Sequence, residues 1–155
     1  MKNIQYLTAF FIGLAACTPS NNNFAINERS MVDRETVIEN SIVLSNNEKY
    51  SEALVNYNKA IKLKNDYIDA YINRGVSLKN LKKFQGAISD LNFVIKTQPL
   101  NPLAHNNLGN IFKELKNYDE AINSYDKAIN INQNYLEAIN NKAFILNFQK
   151  KYENS

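Results

Sequence analysis

Tyr50, Phe84, Tyr118 and Tyr152 stand 34 residues apart along the chain. Ala53, Ala87 and Ala121 keep the same step, as do Ala60, Val94 and Ala128, and Ile61, Ile95 and Ile129. Columns that hold one register over most of a chain constrain its fold more than any composition does. They imply one supersecondary unit stacked on copies of itself, since a unit this small cannot bury its apolar face alone. Inside the unit, Tyr50, Ala53, Tyr57, Ala60 and Ile61 are spaced by threes and fours, the mark of a helix with one buried stripe.

The stretch from Asn101 to Tyr135, NPLAHNNLGNIFKELKNYDEAINSYDKAININQNY, is the most complete copy. It predicts two amphipathic helices joined by a tight turn. Its Leu108-Gly109, Phe112, Tyr118, Ala121, Tyr125 and Ala128 follow the order of the tetratricopeptide repeat, and the chain resembles that family in pattern and period. His105 takes the family's Trp position, Phe112 its first Tyr and Tyr125 its Phe. The resemblance implies an all-α fold: a tetratricopeptide-type solenoid of helical hairpins, about three repeats plus a C-terminal single helix. The repeats are 34–67, 68–101 and 102–135, with a partial one over 136–155.

The copies differ in how closely they keep the pattern. In the first, Val37 replaces Trp and Asn40-Ser41 replaces Leu-Gly. In the second, Tyr71, Gly75, Leu78, Phe84, Ala87 and Leu91 hold, Arg74 replaces Leu, and Pro99 stands at the closing Pro. Gly75, Gly109 and Ala143 share a column in which small bulk lets paired helices approach. In the partial copy, Ala138, Ile139, Ala143, Leu146 and Tyr152 continue the columns. Asn101-Pro102 reads as an N-cap followed by Pro at the first helical position. Asn117-x-x-Glu120 and Asn134-x-x-Glu137 resemble capping boxes. The four Gly and three Pro leave little room for a many-turned β fold. The net charge of +3 is spread over both signs along the helices, the ordinary solvated surface and not a nucleic-acid stripe.

Residues 1–17, MKNIQYLTAFFIGLAAC, are of another kind. Lys2 gives a positive start and an apolar run follows, shorter than the roughly 20 residues a spanning helix needs. Residues 1–16 fit a cleaved signal peptide. Leu14-Ala15-Ala16-Cys17 resembles the bacterial lipobox, which implies lipidation at Cys17 with the acylated Cys as the mature N-terminus. Cys17 is the sole cysteine, which argues against an intrachain disulfide or a cysteine-based metal site. Two or more acyl chains anchor a protein stably where one binds reversibly. After Cys17, residues 17–33 form a polar tether with Pro19, Ser20 and three successive Asn; the repeat domain occupies 34–155.

No catalytic constellation, metal-ligand spacing or cofactor motif emerges, so the expectation is a non-enzyme without metal or cofactor. The lone histidine, His105, falls in a packing column. What remains is a surface. In the family, the first helices of successive repeats line a concave groove. That likeness implies a peptide-binding groove of Ile38, Ile42, Ile72 and Val76, then Asn106, Asn110, Asn140 and Phe144, with Lys79, Lys113 and Glu114 nearby. Apolar side chains of a bound peptide would fill the first half and amides would bond its backbone in the second. The chain is Asn-rich throughout, so composition alone can also place amides there. Phe144 and Phe148, one turn apart, share a face. It either meets a partner or second copy, giving a homo-oligomer through the C-terminal helix, or Phe148 folds back on its own repeat. Together these features suggest a lipid-anchored adaptor or assembly factor of the bacterial cell envelope, its partners being proteins or peptides in the groove and a membrane held by the lipid, with no nucleic acid. In a Gram-negative cell, Thr18 after the Cys suggests the periplasmic side of the outer membrane. The alternative is a regulatory subunit that recruits an envelope enzyme such as a peptidoglycan hydrolase.

Overall fold

The computed structural model describes residues 36–153. The expected signal peptide, the expected lipidation site Cys17 and the expected tether lie outside the described residues. Among the described residues seven helices follow one another: α1 over 36–46, α2 Tyr50–Leu63, α3 Ile68–Asn80, α4 Phe84–Thr97, α5 Pro102–Glu114, α6 Tyr118–Ile131 and α7 Leu136–Glu153. No strand occurs among the described residues. The fold is an all-α tetratricopeptide-type solenoid.

The columns become the core. Ala53, Ala87 and Ala121 are fully buried, as are Ala60, Val94 and Ala128, and Tyr57, Leu91 and Tyr125. Each second helix (α2, α4, α6) therefore presses one large side chain, flanked by small residues, into the helix before it. A column of which only Ala138 was singled out in the sequence joins them: Ala70, Ala104 and Ala138, each at the start of a first helix and each fully buried. Ala70 packs with Ile38 and Tyr57, Ala104 with Leu91 and Val94, and Ala138 with Tyr125 and Ala128. Each repeat thus closes the core of the one before, which is how a stack of weak units becomes stable.

Curvature follows from which helices touch. The first helices α3 and α5 meet, as do α5 and α7, while α2, α4 and α6 make no contact with one another. The first-helix layer is therefore the inner, concave side, and its exposed face is the groove.

Within each hairpin, the turn is the same object three times. Glu48, Lys82 and Lys116, 34 residues apart, have φ of 60°, 59° and 62°. The next residue's N–H returns to the helix: Lys49 to Leu44 O at 2.8 Å, Lys83 to Leu78 O at 2.8 Å and Asn117 to Phe112 O at 2.9 Å. This is the Schellman arrangement, here made without glycine, although a left-handed residue with a Cβ costs about 1–2 kcal/mol. α7 does not make the turn at Lys150, the next residue of that series, and runs on to Glu153. Among the described residues no returning helix packs there to offset that strain. The column ending at Tyr152 therefore continues a first helix and does not open a second one.

Two local expectations change. Asn101 caps α5 as expected, its Oδ1 accepting from Ala104 N at 3.0 Å with Pro102 at the first position. Asn117 stands before α6, but its side chain makes no capping bond. The tight turn holds its ψ at 75°, outside the extended backbone a capping residue needs. Asn134 is not the cap of α7, which begins at Leu136; its N–H is instead taken by Asn132 Oδ1 at 3.1 Å.

Candidate groove of the first helices

The residues expected to line the groove fall into two depths. Ile38, Ile72 and Asn106 occupy one column and are buried, so they form the layer beneath the surface. Ile42, Val76, Asn110 and Phe144 form the column above them, with Ile42 and Phe144 exposed and the other two half-buried, while Asn140, the fourth residue of the Ile38 column, is exposed. Phe144 is 63% exposed. Phe148 is less so and its ring lies 5.6 Å from that of Tyr118, tilted by 54°. It is drawn back onto the preceding hairpin.

At the α1–α3 end, Ile42 and Val76 border a hollow of about 320 Å³ with Ser45, Asn73 and Asn80 around it and Tyr57 at its base. The floor is a hydroxyl chain: Ser45 Oγ is 3.3 Å from the Tyr57 hydroxyl and 3.1 Å from Ser77 Oγ. Burial pushes the Tyr57 phenol up, and the bond to Ser45 partly offsets this. The floor is thus neutral and polar, and the rim sets Ile42 and Val76 among Asn46, Glu48, Asn73 and Asn80.

The α5–α7 end is built otherwise. The Tyr125 hydroxyl crosses from α6 and donates to Asn110 Oδ1 at 2.8 Å. The same oxygen accepts from Asn141 Nδ2 at 3.1 Å, while Asn141 Oδ1 accepts from Lys113 Nζ at 2.9 Å. Asn110 Nδ2 reaches Glu137 only at 3.5 Å. Asn110 is therefore largely committed within the fold. Asn106 is fully buried with no hydrogen bond of full geometric quality; a looser contact links it to the Tyr135 hydroxyl, a weak offset to the burial and the Glu137 charge that raise that phenol. The Lys113 amine is pushed down, first by burial and then by Lys79. Glu114 answers Lys79 at 3.7 Å and Lys82 at 2.6 Å. Two lysines thus share the Glu114 carboxylate at this edge, while Lys113 bonds Asn141 and feels the charges of both Glu114 and Glu137.

Two groove amides escaped the sequence expectation, Asn73 and Asn141. They belong to the column one residue after Ile72 and Asn140, and a helical-wheel reading of adjacent groove positions would have found them. His105 is a packing residue, buried, with Nε2 donating to Pro99 O at 3.1 Å. Arg74, which replaces a family Leu, lies off the groove: its Nε and Nη2 donate to both oxygens of Asp90 at 2.8 and 2.6 Å, and Nη1 to Asn58 Oδ1 at 2.7 Å.

A model of the tetratricopeptide repeat matches residues 102–135, and a second TPR repeat model matches residues 46–82. No curated protein matches the sequence. Among solved structures, the chain is similar to the Arabidopsis OM64 TPR domain, at 22% identity and a TM-score of 0.72 over 77% of this chain and 98% of that one. It is similar to the first TPR domain of human RPAP3 at 25% identity and a TM-score of 0.71, over 79% and 96%. The first TPR of Spaghetti, solved with an HSP90 peptide, is similar at 24% identity and a TM-score of 0.69, over 76% and 93%. The chain carries tetratricopeptide repeats, a fold that generally mediates protein–protein interaction, and no catalytic family is among the matches.

Proposed function

We propose that this chain is a lipid-anchored adaptor of the bacterial cell envelope that docks protein partners in the groove of its first helices. The observation that carries the docking half is the composition of that groove: a hollow where Ile42 and Val76 stand among polar side chains, and an edge where Lys79 and Lys113 stand beside Glu114. Such a surface offers pockets for side chains and fixed polar groups for a main chain. Spaghetti's domain, at 24% identity, is solved with the HSP90 peptide SRMEEVD; that ligand belongs to Spaghetti, and it supports peptide docking here only through the shared fold. The anchoring half rests on Leu14-Ala15-Ala16-Cys17.

The test is a crosslinked pull-down from bacterial membranes with the full-length chain, read by mass spectrometry. Wild type should incorporate labelled palmitate and stay with the membrane; Cys17→Ser should do neither. Phe144→Arg with Val76→Arg should lose the specific partners while keeping the helical circular-dichroism spectrum. Absence of palmitate on the wild type sinks the anchor. Partners unchanged by the groove variant sink the docking surface.

A further inference from the structure

We infer that a hollow over Ile72, at the end of the groove near the starts of α3 and α5, is the seat of one tyrosine or tryptophan side chain of a docked protein segment. The inference rests on the groove being the docking surface proposed above. It starts from a column. Tyr67, Asn101 and Tyr135, 34 residues apart, each stand immediately before a first helix. Tyr67 packs with the cluster that holds Ile38, and Tyr135 packs against Ala138 and Tyr125 with its hydroxyl near Asn106. Ile38, Ile72 and Asn106 are themselves one column. In the first and third repeats, then, the chain supplies its own aromatic ring beside the groove's buried layer.

The second repeat does not. Asn101 is smaller, and its side chain is turned to other work: Oδ1 caps α5 through Ala104 N, and Nδ2 donates to Gln98 Oε1 at 3.0 Å. What is left is a hollow of about 500 Å³ walled by Ile72, Pro99, Leu100, Pro102 and Leu103. Leu100 is 79% exposed and Leu103 41%, an apolar surface that no packing in the described fold uses. The repeat lattice itself thus states what shape belongs there, since a ring fills the equivalent place on either side. Asp69 stands at the rim, exposed and without an ion pair among the described residues. Its carboxylate is an acceptor, which favours a ring carrying a donor, a phenol O–H or indole N–H, over phenylalanine.

The experiment follows backbone amide shifts of the full-length chain on titration with the capped pentapeptide Gly-Ser-Tyr-Ser-Gly and with its alanine counterpart. The tyrosine peptide should shift Ile72, Leu100 and Leu103, and the alanine peptide should bind at least tenfold more weakly. Asn101→Tyr should abolish the shifts, because it restores the ring that the neighbouring repeats carry, and Tyr67 shows that the position before a first helix accepts it. Should Asn101→Tyr not fold, Leu103→Ser, at an exposed position, should weaken the tyrosine peptide at least fivefold. Equal binding of the two peptides, or full binding by both Asn101→Tyr and Leu103→Ser, overturns the inference. So do shifts confined to the Lys113 and Asn140 end, an outcome that leaves the docking surface standing; that reading is decided by the pull-down.

Discussion

The second and third repeats share every column of the pattern and put different chemistry into it. In the second, the large residue of the second helix is Leu91, whose side chain brings no polar atom, and α3 and α4 are tied together off the groove where Arg74 grips Asp90, while Asn73 and Ser77 of α3 face the groove hollow. In the third, the large residue is Tyr125, Leu108 and Ser124 take the places of Arg74 and Asp90, and a hydroxyl passes through the core to the groove. The column sets where a side chain lies; it leaves open whether polar groups hold helices together or reach the binding face. The second repeat uses the Arg74 and Asp90 columns to hold its two helices together, and the third uses the Tyr125 column to reach the surface.

The sharpest test of that division is Asp90→Ala against Ser124→Ala. The Asp90 and Arg74 side chains are 6% and 20% exposed. Removing one member of such a pair leaves a partly buried guanidinium uncompensated, a loss of about 3 kcal/mol after allowance for the exposed part of Arg74. Ser124 Oγ only donates back to Glu120 O within its own helix at 2.8 Å; its loss should stay within about 0.5 kcal/mol. Urea unfolding of both variants measures the difference, and comparable losses would erase the distinction between the repeats.

Next comes the glycine column. A Cβ on Gly109 would lie 2.6 Å from a ring carbon of Tyr125, closer than atoms can stay, so the ring must move. A Cβ on Gly75 meets Leu91 Cγ at 3.4 Å, near ordinary contact. Gly109→Ala should therefore cost about 1–2 kcal/mol net of its helix-propensity gain. Gly75→Ala should be neutral or stabilising by up to about 1 kcal/mol. Thermal melts of the pair settle the sign.

These cases mark how much the sequence discloses. The period, the helix pairs and the alanine columns are legible because each obeys a local rule of spacing. Gly75 and Gly109 look alike in the sequence, and only the side chain across the interface separates them. Arg74 was visible as a departure, but its partner sixteen residues on was not, because nothing local ties the two. The groove positions were placed by likeness to the family; their depth was not, since burial of Ile38, Ile72 and Asn106 depends on the next repeat. The cap at Asn117 failed because the turn before it fixes a backbone angle that the four-residue pattern does not encode, and the one at Asn134 because α7 begins at Leu136, one residue later than the pattern places it.

A smaller effect isolates the hydroxyl that distinguishes the third repeat. Tyr125→Phe removes the donor to Asn110 and leaves one acceptor with fewer bonds, a loss of about 1 kcal/mol near neutral pH. It should also change the alkaline limb. Burial, and secondarily the charge of Glu137, raise the Tyr125 phenol well above its ordinary 10.0. Above that ordinary value the unfolded chain loses a proton that the folded chain keeps, so the unfolded state binds fewer protons and stability falls as pH rises. The fall begins near pH 10 and should be shallower in Tyr125→Phe, while Leu91→Phe in the second repeat leaves the slope unchanged. Equal slopes for wild type and Tyr125→Phe would mean the hydroxyl is not held protonated by the fold.

The smallest predicted difference lies in the turn, where the two repeats are the same in backbone and differ only in what the side chain does. Lys82 and Lys116 sit at φ of 59° and 62°. Glycine relieves the left-handed strain of about 1–2 kcal/mol, and gives part of it back through the greater freedom of the unfolded chain, about 0.5–1 kcal/mol. Lys116 is exposed, and none of the ion pairs among the described residues involves it, so Lys116→Gly should stabilise by about 0.5 kcal/mol. Lys82 reaches Glu114 at 2.6 Å and lies 5.8 Å from the centre of the Phe84 ring. Lys82→Gly relieves the same strain but gives up an exposed ion pair worth about 0.2–1 kcal/mol, and should end near zero. Melting at high salt screens that pair and should bring the two variants together. If they stay apart at high salt, the backbones of the two turns are not equivalent, and the uniform turn is the part of the repeat description to abandon.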